Sequence, residues 1–175
     1  MLLKSTLLAA GLIASMVGTA QASDPAKLND LEIAHVAYTA DNIDIRYAHL
    51  ALAISSNPEV RAFAETMIRD HTAVNDQALA LLAKLNAAPQ DNFLSKALLK
   101  GADDLVDEMS KLRGDAFDKR YAENELAYHK AVNDLMKNAF IPNIENAEVK
   151  ALFEAGYEIF QAHEHNADTV VSSVN

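Results

Sequence analysis

Along most of the chain, apolar residues recur at intervals of three and four and nowhere alternate with polar ones as a half-buried strand would require. Val60, Phe63, Met67, His71, Val74, Ala78, Leu81 and Leu85 fall on one stripe of a helix. Val149, Leu152, Gly156, Ile159, His163, Asn166 and Val170 form a second. Breakers and caps divide the pattern. Asp24-Pro25 reads as a cap with a first-turn proline, opening a helix that reaches about residue 55. Ser56-Asn57-Pro58-Glu59 reads as a capping box with proline inside it, turning the chain into a second helix that ends near Asn86. A shorter segment over 93–112 stops at Arg113-Gly114. A fourth helix begins at Asp115 and fades near Phe140-Ile141-Pro142, and a last one runs from about Asn146 to Val170. Four long amphipathic helices joined by short links predict an all-α fold, an antiparallel four-helix bundle in which 93–112 is a crossover or side helix.

The first 22 residues follow another plan. Lys4 precedes an apolar stretch over 7–17 and then Ala20-Gln21-Ala22, the layout of a secretory signal peptide with an A-x-A cleavage site. That stretch is shorter than the roughly 20 residues a membrane span needs. Residues 1–22 are therefore expected to be removed, leaving 23–175 as one helical domain, periplasmic or secreted and no longer membrane-inserted. The chain has no cysteine, so neither a lipid anchor nor a disulfide is available and the core must supply the stability.

Charge narrows the function classes. Twenty-five acidic side chains stand against 15 basic ones, which argues against a nucleic-acid binder that relies on a basic surface. A glycine-rich phosphate loop, a serine elbow and a thiol nucleophile are all missing, so nothing recommends a hydrolase or a nucleotide enzyme. The expected role is binding, of a metal ion in the core or of a protein partner or second copy at the surface.

Two histidines carry the chemistry. His71 and His163 each occupy a stripe position where an aliphatic side chain is expected, and a buried imidazole is costly unless its nitrogens find partners. Asp44 lies on the first helix in the run Asp41, Asp44, Ala48, Ala51, an acid among small residues. Glu125 and His129 share a face of the fourth helix. At about 1.5 Å of rise per residue, Asp44 lies about 19 Å before the turn at Ser56-Asn57 and His71 about 22 Å after it, nearly level. His129 lies about 15 Å from the end of its helix and Glu125 about 21 Å, against about 25 Å into the last helix for His163, so His129 matches less well. Asp44, His71 and His163 are accordingly the leading ligands for one transition-metal ion, zinc, copper or iron, with His129 or Glu125 completing the shell. Asp70 and Asn75 are candidates to orient His71.

A second reading, a structural or stress-related interaction protein, uses the same residues. Polar layers also fix the register of bundles, and Asn75 and Asn166 beside the two histidines would complete one. A di-iron oxidase is disfavoured. That chemistry needs two Glu-x-x-His motifs facing inwards, and the only one here is Glu32-Ile33-Ala34-His35, while Ile68 and Phe160 stand three residues before His71 and His163. His165 points away from His163, and His35 and His49 read as surface or boundary residues. Met67, one turn before His71, suits copper(I) on paper but reads first as core filler.

The runs Asn57-Pro58-Glu59-Val60-Arg61-Ala62-Phe63-Ala64 and Met67-Ile68-Arg69-Asp70-His71-Thr72-Ala73-Val74-Asn75, then Phe117-Asp118-Lys119-Arg120-Tyr121 with His129, and His163 with Ala167, resemble an exported ferritin-like family catalogued as domain of unknown function 4142. The likeness extends from about Asp44 to Ala167. It implies a ferritin-like four-helix bundle and no established activity. Asp44 stands where that family usually has glutamate, Ala48 where it has glycine, and Glu158 where it has proline.

Overall fold

The computed structural model describes residues 24–175. The expected leader over 1–22 lies outside the described residues. Those residues are all-helical: a one-turn 3-10 helix, Pro25–Lys27, then α1 (Asp30–Ile54), α2 (Pro58–Lys84), α3 (Phe93–Met109), α4 (Asp115–Leu135) with a π turn at Met136–Phe140, and α5 (Ala147–Ser173).

Local side-chain chemistry sets the boundaries. Asp24 does cap a helix, but only the 3-10 turn. The long helix begins at Asp30, because Asn29 accepts from the amides of Leu31 and Glu32 while Glu32 accepts from the Asn29 amide, a reciprocal capping box. Leu28 between the two is extended and buried. At α2 the cap is Asn57, not Ser56, with Pro58 in the first turn. Asn86 leaves the end of α2 with φ 55°, and Gly114 takes the same φ between α3 and α4, where a left-handed residue ends or redirects a helix. α3 stops at Met109, short of residue 112. It lies against α1 and α4 and buries only Ser95, Ala102 and Met109, so it flanks the other helices. The Asp30 carboxylate accepts from the amides of Glu145 (3.0 Å) and Asn146 (2.8 Å), tying the link before α5 to the start of α1.

Two apolar clusters form the core. One holds Ile43, Tyr47, Ala51, Val60, Phe63, Met67, Phe117, Tyr121, Ala167 and Val170. The other holds Ile33, Val36, Met136, Phe140, Val149, Phe153 and Phe160. α1 and α5 pass from the second cluster to the first along the chain, and α2 and α4 pass from the first towards the second. On each of these four helices the crossing point is polar: Asp41 and Asp44, His71 and Asn75, Glu125 and His129, and His163, all buried.

The last stripe is drawn differently from its sequence expectation. Val149, Gly156, His163 and Val170 are buried as expected, but Phe153, Phe160 and Ala167 fill the intervening turns, while Ile159 and Asn166 are exposed. Both sets keep steps of three and four. The Phe160 ring stacks on His71 of α2, and the Phe160 carbonyl accepts from Asn133 of α4.

Candidate functional site

The polar layer brings His71, His129 and His163 together from α2, α4 and α5. Ring centroids lie 5.8 Å apart for His71 and His129, 5.2 Å for His71 and His163, and 5.4 Å for His129 and His163. One donor atom from each of the three lies within 4.8 Å of the others, and the same holds for Asp44, Glu125 and His129. Asp44 and Glu125 are 0% exposed, so neither carboxyl group can draw on water. Phe160 stacks on His71 at 5.0 Å and 13° and closes one side.

Each imidazole is anchored through one nitrogen and leaves the other turned to the layer. His71 Nδ1–H donates to Asp41 Oδ1 at 2.7 Å, His129 Nδ1–H to the Glu125 backbone carbonyl at 2.9 Å, and His163 Nε2–H to Asp70 Oδ2 at 3.0 Å. The carbonyl and the carboxylates accept, so those ring nitrogens carry hydrogen. The remaining nitrogens, His71 Nε2, His129 Nε2 and His163 Nδ1, are buried without a hydrogen-bond partner, as are both oxygens of Asp44 and Oε2 of Glu125. His71 Nε2 lies 2.6 Å from Asp44 Oδ2 and His129 Nε2 lies 3.5 Å from it, yet neither contact has hydrogen-bond geometry. His71 Nε2 and Asp44 Oδ2 thus face each other as a buried ion pair, while His129 Nε2, His163 Nδ1 and Glu125 Oε2 have no partner.

The electrostatics centre on the buried pair of His71 and Asp44. Burial alone would lower the His71 pKa, but the charge of Asp44 and the bond to Asp41 outweigh it and raise the imidazole to about 10. Burial opposes the Asp44 charge too, yet His71 beside it holds that carboxyl far below the usual carboxylate range. Glu125 goes the other way: burial and then the Asp44 charge raise its pKa well above normal, which keeps it protonated. Burial lowers His129, and lowers His163 to about 4 despite the bond to Asp70, so both are neutral near pH 7. Burial above all also raises the Tyr121 phenol, whose buried hydroxyl has no partner.

The layer includes all five residues singled out from sequence, and it corrects how they were ranked. His129 is as central as His71 and His163. α4 with its π turn ends 11 residues after His129, whereas α5 begins 16 residues before His163. At 1.5 Å per residue the link over 141–146 must carry the chain about 8 Å further along the axis, so the two helices do not start level. Asp70 contacts His163, not His71. Asn75 is buried with its Oδ1 unpartnered, and Asn166 is exposed, so neither completes a hydrogen-bonded layer. Sequence reasoning passed over Asp41 as a site residue, although its place one helical turn before Asp44 on the same stripe was the available signal. His49 and His165 are exposed and His35 is half-buried, as expected.

No curated protein and no solved structure matches the chain. A family model does, over residues 15–170, a span that contains the whole polar layer. The chain belongs to the family described as domain of unknown function 4142 (DUF4142).

Proposed function

We propose that this is an exported, ferritin-like protein, periplasmic or secreted after cleavage near Ala22, that binds one transition-metal ion in its core. His71 Nε2, His129 Nε2, His163 Nδ1 and Asp44 form the shell, with Glu125 beside them. The four long helices form an antiparallel bundle with α3 on its flank, a reading supported by the order in which they cross the two apolar clusters, α1 and α5 in one direction and α2 and α4 in the other.

The observation that carries the metal is the state of the three imidazoles. Each is fixed through one N–H by an outside acceptor, one ring nitrogen from each lies within 4.8 Å of the others, and His129 Nε2 and His163 Nδ1 are left without a partner, the pattern in which proteins orient metal-bound histidines. A layer that only fixed register would gain by satisfying these atoms, because each unmet buried donor or acceptor costs about 1–3 kcal/mol. Imidazole and carboxylate donors without a thiolate suit zinc, copper or iron.

Untagged protein purified from periplasm is expected to carry near-stoichiometric zinc, copper or iron by elemental analysis, and His71→Ala or His163→Ala to abolish it. Because either variant can lose its fold, the unaltered protein supplies a second measurement. Metal at about 100 times its Kd should stabilise it by about 2.7 kcal/mol, or about 5–10 °C in thermal midpoint. A midpoint indifferent to both chelator and added metal refutes the reading and leaves a polar layer that sets register.

A further inference from the structure

The three histidines differ in what stands behind them. His71 is backed by Asp41, which is buried, and His129 by a carbonyl inside α4. His163 is backed by Asp70, whose side chain is 25% exposed. On its outer side Asp70 is gripped by Arg69, with Nε 2.7 Å from Oδ1 and a terminal nitrogen 3.1 Å from Oδ2. Arg69 is itself 69% exposed. One line of polar groups thus runs from bulk water to the layer: Arg69, Asp70, His163.

A different approach is a cavity of about 40 Å³ lined by α1, α2, α5 and Met136, which reaches the layer at Asp41 and at Phe160, the ring stacked on His71. Apart from Asp41 its lining is almost wholly apolar, with residues such as Val74, Ala78, Leu82 and Phe153. A hydrated divalent cation would have to shed its water there without donors to replace it, a penalty an apolar wall does not offset.

The geometry points to Asp70 as the outer, transient ligand through which the metal ion enters, with His163 as the ligand that swings to admit it and Arg69 as the latch. This route rests on the metal-binding reading above. An arriving cation meets the Asp70 carboxylate first and displaces the Arg69 guanidinium. His163 releases its bond to Asp70 Oδ2, turns, takes the ion on Nδ1, and restores its Nε2–H bond to Asp70 once the ion is seated. Arg69 touches none of the final donors, so it governs passage in both directions and not the affinity at rest.

The test is the rate of zinc uptake and release by the full chain, followed by stopped flow against a chromophoric chelator. Arg69→Ala is expected to speed uptake and release together by about twofold to fivefold, the factor an exposed ion pair sustains, with Kd moving less than about threefold. Asp70→Asn keeps an acceptor for His163 but loses the charge, and should slow uptake at least about tenfold. Ala78→Leu, which narrows the apolar cavity, should leave both rates alone. Unchanged rates in Arg69→Ala and Asp70→Asn with intact affinity, or slowed uptake in Ala78→Leu, overturn the route alone. Failure of the unaltered protein to take up zinc overturns the route together with the metal reading.

Discussion

In the metal-free protein His71 holds the proton that a metal ion must replace, and the exchange can be counted. Burial lowers the His71 pKa, but Asp44 and Asp41 lift it to about 10, whereas His163 is lowered to about 4 and His129 is lowered too. At pH 7 an ion that takes His71 Nε2, His129 Nε2, His163 Nδ1 and Asp44 therefore displaces one proton, from His71. Glu125, kept protonated by burial and by Asp44, adds a second only if it ligates the ion. The gap between pH 7 and a pKa of about 10 is about three units, so at about 1.36 kcal/mol per unit the proton competes with about 4 kcal/mol of intrinsic affinity. Apparent affinity should consequently rise about tenfold per pH unit between pH 7 and 8.5. Calorimetry of zinc binding in buffers of different ionisation enthalpy reads the stoichiometry directly. One proton per ion at pH 7 is expected, and a value of two would put the Glu125 carboxylate on the ion. A value of zero, with affinity flat in pH, would mean that His71 is not a ligand and would refute the shell as drawn.

The same shifts set the stability of the metal-free protein. The folded pKa of His163, about 4, lies below its unfolded value. Its contribution is therefore complete above about pH 6.5 and falls away as pH drops towards 4, by about 3 kcal/mol in all. His71 works with the opposite sign: its contribution is complete below about pH 6.5 and is lost as pH climbs through about 10. Urea denaturation of chelated protein across pH 4.5 to 9.5 should show a maximum between these limits, with the acid limb flattened in His163→Gln; an unchanged acid limb in that variant would contradict the assignment. At the start of α1, Asn29→Ala removes the acceptor for the Leu31 and Glu32 amides and should cost about 1 kcal/mol, or about 2–4 °C in thermal midpoint. Asn29→Ser should recover most of that loss.

Much of this molecule follows from the one-dimensional pattern. Steps of three and four with no strand-like alternation leave a helical fold as the only reading, and Asn57-Pro58, Gly114 and Asn146 mark ends that side-chain caps and a left-handed residue then form. The seven-residue spacing of Val149, Gly156, His163 and Val170 was enough to turn His163 inwards, and the same logic turned in His71. These are properties of a helix and its sequence alone, because 3.6 residues per turn fix which side chains share a face.

Other features were decided only when the helices met. Whether Ile159 or Phe160 is buried depends on which flank of the heptad line faces α4 and α2, and both choices have the same periodicity. His129 reached the level of His163 through a six-residue link whose axial length no helical period encodes. Asp41 rather than Asn75 bonds His71, and Asp70 serves His163 on another helix, because a hydrogen-bond partner is chosen by through-space distance across a packed interface. Periodicity is a local consequence of backbone geometry and is written in the chain; convergence of donors from α1, α2, α4 and α5 on one point is a property of packing, and exists only in the tertiary structure.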